Sequence, residues 1–159
     1  MLAPVSEPVG EPASVDWCRV SLETVEGRPA ILVRDRVRLS DTDSSGLIYY
    51  GAVTPWLTRA QAELWLALGF RPDGNGPRPM MPVVNANLSY HAPLRLADAY
   101  ELSAWVEEVG ATSATLGFEV GCAGQLCVSA RMTHVHLDVD THRPAPLPEA
   151  IVAAARARR

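Results

Sequence analysis

The chain contains no lysine: all 14 of its basic residues are arginine. Schiff-base chemistry on a lysine amine is therefore excluded, and any anion site must use guanidinium groups or backbone amides. Cysteine is scarce and odd in number, with Cys18, Cys122 and Cys127 and no C-x-x-C spacing. That pattern gives no disulfide framework and fits reduced thiols in the cytoplasm. No apolar run approaches the ~18 residues of a membrane-spanning helix, so no membrane partner is expected. Residues 1–16 are rich in Pro, Glu and Ser and lack a basic start followed by an apolar stretch. They are expected to be a flexible arm rather than a secretory signal. An excess of positive charge is missing too: the net charge is −4, which gives no electrostatic footprint for nucleic acid.

What is present fits one domain. At 159 residues and 48% apolar content, the chain is long enough to bury a real core. Its organising stretch is 41–50, Asp-Thr-Asp-Ser-Ser-Gly-Leu-Ile-Tyr-Tyr. Before it, residues 31–39 alternate as a half-buried strand does. Arg34, Arg36 and Arg38 fall on one face, Val33, Val37 and Leu39 on the other, with Asp35 between them. The arginine stripe reads as a solvated or subunit-facing surface, with phosphate binding as the alternative. After the motif, Val53, Leu57, Ala60, Leu64 and Leu68 recur at helical spacing. Pro55 is tolerated only in a first turn and Gly69 is a natural stop, so the helix begins beside Asp43. Two carboxylates and a glycine thus occupy a turn between strand and helix. A helix start offers free N–H groups and a partial positive charge. An acid beside such donors can attack a carbonyl, or activate water against it, while the donors stabilise the oxyanion.

Other readings of the same residues are weaker. Asp41, Asp43 and Ser45 with Gly46 resemble the opening of a calcium loop, but the bidentate Glu needed at the twelfth position is replaced by Ala52. Asp, Ser and Gly also serve as plain turn chemistry. No Gly-x-Ser-x-Gly marks a serine triad. His134 and His136 share a strand face and suggest a metal, yet no further ligands stand at suitable spacing. His91, before Ala92-Pro93, reads as a polar edge residue that could reach a cleft. Cys122 and Cys127 read as small sheet residues.

The remaining chain reads as an extra hairpin in 18–30, a Pro/Gly-rich loop over 71–82 that borders the cleft as a lid or wall, and strands over 83–91, 99–109, 113–122 and 125–138 joined by hairpin turns. A short helix over 148–155 follows. Residues 1–28 form the arm with a short strand, 29–155 the domain, and 156–159 a frayed tail.

With strand, turn, helix and meander in this order, the chain resembles the hotdog-fold thioesterases of the 4-hydroxybenzoyl-CoA thioesterase type. Residues 37–50 look like that family's catalytic strand, turn and helix start. Residues 56–69 look like its central helix, and 133–138 with 143–149 its last strand and tail. The resemblance implies an α+β hotdog fold, a curved antiparallel sheet around one long helix. It implies hydrolysis of an acyl thioester on coenzyme A or an acyl-carrier protein, with no metal and no cofactor other than the coenzyme A or phosphopantetheine of the substrate. The family's acid falls on Asp43, as nucleophile or general base. The N–H seven residues on, at Tyr50, would polarise the carbonyl, and Asp41 would be a structural turn residue. Gly46, Tyr49, Gly51, Thr112 and Ser113 are the implied substrate contacts, and a homodimer or tetramer the implied assembly. Two departures stand out: Gly51-Ala52 replaces the Ala-Asn or Pro-Asn that often follows the tyrosine pair, and Ala111 replaces a basic residue after Gly110. A hotdog dehydratase or hydratase and a non-catalytic acyl-thioester binding module are the competing functions; the former would want a histidine near Asp43.

Overall fold

The computed structural model describes residues 18–25, 27–71 and 79–156. Six strands form one antiparallel sheet in the order β1-β2-β4-β5-β6-β3. They are β1 (Arg19–Val25), β2 (Arg28–Arg36), β3 (Val83–Tyr90), β4 (Ala99–Val109), β5 (Ser113–Cys122) and β6 (Gln125–Val135). The long helix α1 (Val53–Ala67) follows β2, and the short α2 (Glu149–Arg156) ends the described chain.

The pairing follows from side-chain alternation. In β4, Leu102, Ala104 and Val106 point to one face; in β5, Ala114, Leu116, Phe118 and Val120; in β6, Val128, Ala130 and Met132. All are buried. A sheet with one apolar face must cover it, and the cover is the buried stripe Val53, Leu57, Ala60 and Leu64 of α1, joined by Ile151 and Ala154 of α2. The opposite face is polar. There Arg131 pairs with Glu107 at 2.7 Å and Glu108 at 3.1 Å, and Thr115 meets Thr133 at 3.0 Å. Gly117 lies opposite Trp105; a Cβ on it would meet the indole at 2.6 Å, so the missing side chain lets the ring lie on the sheet.

The strand before the motif ends sooner than its alternation suggests. β2 stops at Arg36, and residues 39–41 form a single 3-10 turn. Leu39, expected on the apolar face, is 75% exposed. The chain leaves the sheet at Val37, whose N–H and C=O turn to Asp98 and Ala97 instead of a strand partner, and the alternating pattern simply runs past the ladder. Asp35, which the alternation places between Val33 and Val37 on the apolar face, is buried. Its carboxylate meets Arg38 at 3.0 Å and Arg59 of α1 at 3.6 Å, which ties strand to helix. Of the arginine stripe itself, Arg34 is engaged by Glu101 and Glu23. Among the described residues no helix is long and apolar enough to cross a membrane. Most of the 71–82 loop, residues 72–78, lies outside the described residues, and so do residues 1–17 of the arm.

His134 is fully buried against Trp65 of α1, ring centroids 5.9 Å apart. Its Nδ1 lies 3.3 Å from the Met132 carbonyl and its Nε2 has no partner among the described residues. His136 instead places Nδ1 2.7 Å from the Pro146 carbonyl, so the two imidazoles serve different contacts. Burial pushes the His134 pKa below its ordinary value. The folded chain therefore binds this proton less readily than the unfolded one. The stability associated with a neutral His134 is whole above about pH 6.5 and declines as pH falls through that value toward the folded pKa. Melting followed at about pH 7.5 and about pH 5.5 should show a larger fall for the wild type than for His134→Phe, the gap amounting to roughly 2–4 °C. Parallel falls would remove His134 from the pH dependence.

Candidate active site

Residues 41–49 fold into a tight hairpin that docks on 94–97. Thr42 bridges Ile48, and Leu47 bridges Arg95. Tyr49 N–H donates to the Asp41 carbonyl at 3.2 Å, Asp43 N–H to Leu47 at 3.0 Å, and Ile48 N–H to Leu94 at 3.0 Å. The tip is a turn closed by Gly46 N–H on the Asp43 carbonyl at 3.0 Å. Gly46 has φ +75, a conformation glycine adopts without steric cost, and its carbonyl accepts from Leu96. Its contribution is thus structural in this chain's own contacts.

The two aspartates have separate tasks. Asp41 Oδ2 accepts from the N–H of Arg38 at 2.8 Å, capping the 3-10 turn that ends β2. Asp43 is exposed, and its Oδ1 accepts from both the hydroxyl and the N–H of Ser45, at 2.5 and 2.8 Å. Oδ2 takes no partner among the described residues. The Ser45 hydroxyl first, and its amide second, hold the Asp43 pKa below the ordinary carboxylate value. One oxygen is fixed and the other is free, on a group that stays ionised well into acid.

The helix start supplies donors. Ala52 N–H turns back to the Tyr49 carbonyl and Thr54 N–H to that of Gly51. Among the described residues neither Tyr50 N–H nor Gly51 N–H donates to a backbone acceptor. Tyr50 also borders a groove of about 420 Å³, lined by Leu47, Ile48, Tyr90, His91, Ala92, Pro93 and Leu94 as well. Asp43 stands outside that lining. Gly51 lies against Tyr49, where a Cβ would meet the ring at 3.0 Å, and the Tyr49 and Tyr50 rings meet edge to face at 6.5 Å. His91 lines the groove as its sequence position allowed, with Nε2 2.8 Å from the Ser129 hydroxyl. Tyr90 is the residue that sequence reasoning missed. It stands at the end of β3 and donates its hydroxyl to the Tyr50 carbonyl, a contact with no local signal in either segment.

Thr112 and Ser113 are elsewhere. They sit in the β4–β5 turn, where the Thr112 carbonyl accepts from His136 N–H at 2.8 Å and the Ser113 carbonyl from Gly110 N–H at 2.7 Å. Ala99, at the other end of β4, pairs with Arg36 just before the motif. The 11 residues of β4 separate the two ends by roughly 30 Å. Within one chain these residues do not meet Asp43.

A six-stranded antiparallel sheet wrapped on one long helix is the hotdog architecture. Comparison bears this out. The structure of 4-hydroxybenzoyl CoA thioesterase complexed with 4-hydroxybenzoyl CoA superposes with a TM-score of 0.68 over 79% of this chain and 98% of that one, at 20% identity. The sequence pattern of the thioesterase-like superfamily matches residues 37–155, and the chain belongs to that family: it is a thioester hydrolase. Among sequence relatives, the "Putative acyl-CoA thioesterase YneP" of Bacillus subtilis (strain 168) is 27% identical over 110 residues, covering 68% of this chain and 80% of its own. The 1,4-dihydroxy-2-naphthoyl-CoA hydrolase of Prochlorococcus marinus (strain MIT 9313) is 24% identical over 130 residues, covering 76% and 86%.

The Asp43 turn makes its own prediction. In Ser45→Ala the hydroxyl donor is gone and the amide donor remains. The carboxyl 13C resonance of Asp43 should then titrate at higher pH than in the wild type, closer to an ordinary aspartate. An unmoved midpoint would show that Ser45 does not hold this oxygen in solution.

Proposed function

We propose that the chain hydrolyses an acyl-CoA to the free acid and coenzyme A, with Asp43 as its reacting carboxylate. The observation that carries this reading is the pairing, in one short loop, of an ionised acid with a free oxygen and unspent amides at the helix start. The thioester carbonyl lies with its oxygen toward Tyr50 N–H. Either Asp43 Oδ2 attacks the carbonyl carbon and displaces the thiolate, leaving a mixed anhydride that water then cleaves to the free acid and the aspartate, or it takes a proton from a water that attacks the carbonyl and displaces the thiolate; the charge that develops on oxygen is met by donors already in place. Hydrogen bonding by Ser45 keeps Asp43 ionised, which either role requires. The substrate class rests on the two relatives, whose names are those of a thioesterase and a hydrolase acting on CoA esters. The hydratase alternative would want a histidine acid or base beside Asp43, whereas His91 lines a groove whose lining does not include Asp43. Three unpaired cysteines fit a reducing, cytoplasmic setting.

The site is proposed to be shared between two copies. β3 is a sheet edge and is exposed along nearly its whole length. Pairing β3 antiparallel with its copy would carry the Thr112–Ser113 turn of one protomer toward the Asp43 loop of the other, which a single chain cannot do.

Thiol release from a panel of aromatic and aliphatic acyl-CoA and acyl-carrier substrates tests the activity. Asp43→Asn should lower kcat by about 100-fold or more while melting stays near that of the wild type; turnover at the parent rate would sink the assignment. Incorporation of 18O from water into the Asp43 carboxylate in a single turnover would mark direct attack, with water opening the anhydride at the aspartyl carbon. Light scattering should give at least twice the 17.2 kDa chain mass, and a fully active 17.2 kDa species would reject the shared site.

A further inference from the structure

We infer that Tyr90 is a positioning residue for the catalytic amides: by donating to the Tyr50 carbonyl it fixes and polarises the Tyr50–Gly51 peptide, making Gly51 N–H a second donor to the thioester oxygen. The inference rests on the reading of this loop as the site of thioester cleavage. Its starting point is an accounting of the helix's first turn. The N–H groups of a helix's first turn have no intrahelical acceptor, and Pro55 contributes no N–H. Thr54 N–H turns to Gly51 instead, at 3.3 Å. The Tyr50 carbonyl, two residues before the N-cap Ala52, takes no backbone donor among the described residues. Tyr90 Oη fills the gap from another element.

The geometry of the amide carries the rest. In a trans peptide the C=O of one residue and the N–H of the next lie antiparallel in one plane. A donor that pins the Tyr50 oxygen therefore fixes the direction of Gly51 N–H, away from Tyr90. Drawing electron density onto that oxygen also strengthens the N–H as a donor. Gly51 N–H has no backbone acceptor among the described residues. Tyr90 lies opposite Val128 on β6, a fully buried residue, so its backbone is held by the sheet while its ring reaches the groove beside Tyr50. Partial burial raises the phenol pKa, which keeps the hydroxyl protonated as a donor.

Tyr90→Phe removes the hydroxyl alone. In the full-length enzyme, with the best acyl-CoA of the panel, kcat should fall by about tenfold, with KM within about twofold and the acid limb of the pH–rate profile unmoved, since Asp43 and Ser45 are untouched. In 15N-labelled protein the Gly51 amide resonance should move upfield while those of the α1 interior stay in place. A shift accompanied by the kcat loss supports the assignment. An unmoved Gly51 resonance overturns it, and so does a moved resonance with unchanged kcat. The two readings fail separately: full activity in Asp43→Asn removes the acid, whereas full activity in Tyr90→Phe beside an inactive Asp43→Asn removes only the positioning residue.

Discussion

The burial of one helical stripe against one sheet face sets everything else in this protein. Val53, Leu57, Ala60 and Leu64 leave α1 no freedom to rotate or slide on the sheet. Close-packed interiors respond to such shifts as overpacking or voids. With the helix locked, its first turn has a fixed address, and the amides before it point at a fixed place. The ion pairs from Asp35 to Arg38 and Arg59 fasten the strand on the other side of the motif to the same helix. The reactive loop is therefore short, but both of its ends are held by the core.

That anchoring explains how an exposed acid can be well defined. Asp43 has no burial to restrict it; its orientation comes from two donors of one neighbouring residue. Asx-type contacts of this kind are local and independent of the rest of the fold. Asp41, two residues earlier, is committed to the backbone of Arg38. One aspartate shapes the turn and the other is left with an unspent oxygen, which is how a pair of identical side chains comes to hold different roles.

Much of this was legible in the sequence because it is encoded locally. The stripe of α1 is a periodicity, Pro55 and Gly69 mark its limits, and Gly110 and Gly124 punctuate the meander. Where β2 ends was not legible, since Val37 and Leu39 continue the alternation after the hydrogen-bond ladder has stopped. Asp35 stood on the apolar face with no visible partner, because one residue that satisfies it, Arg59, comes from the next element. Thr112 and Ser113 could not be placed relative to Asp43 without the strand order, which puts the length of β4 between them. Tyr90 was invisible for a related reason: its partner is a main-chain oxygen, and main-chain atoms leave no mark in a pattern of side chains.

Tyr90 belongs to β3, the bare rim of the sheet. A strand that both invites a neighbour and steadies the helix's leading peptide has little room to drift. Changes between Val83 and Tyr90 that look like harmless surface variation would be felt at a helix end they never touch. On the proposed pairing and the proposed role of Tyr90, association and turnover draw on the same eight residues, so that tuning one disturbs the other.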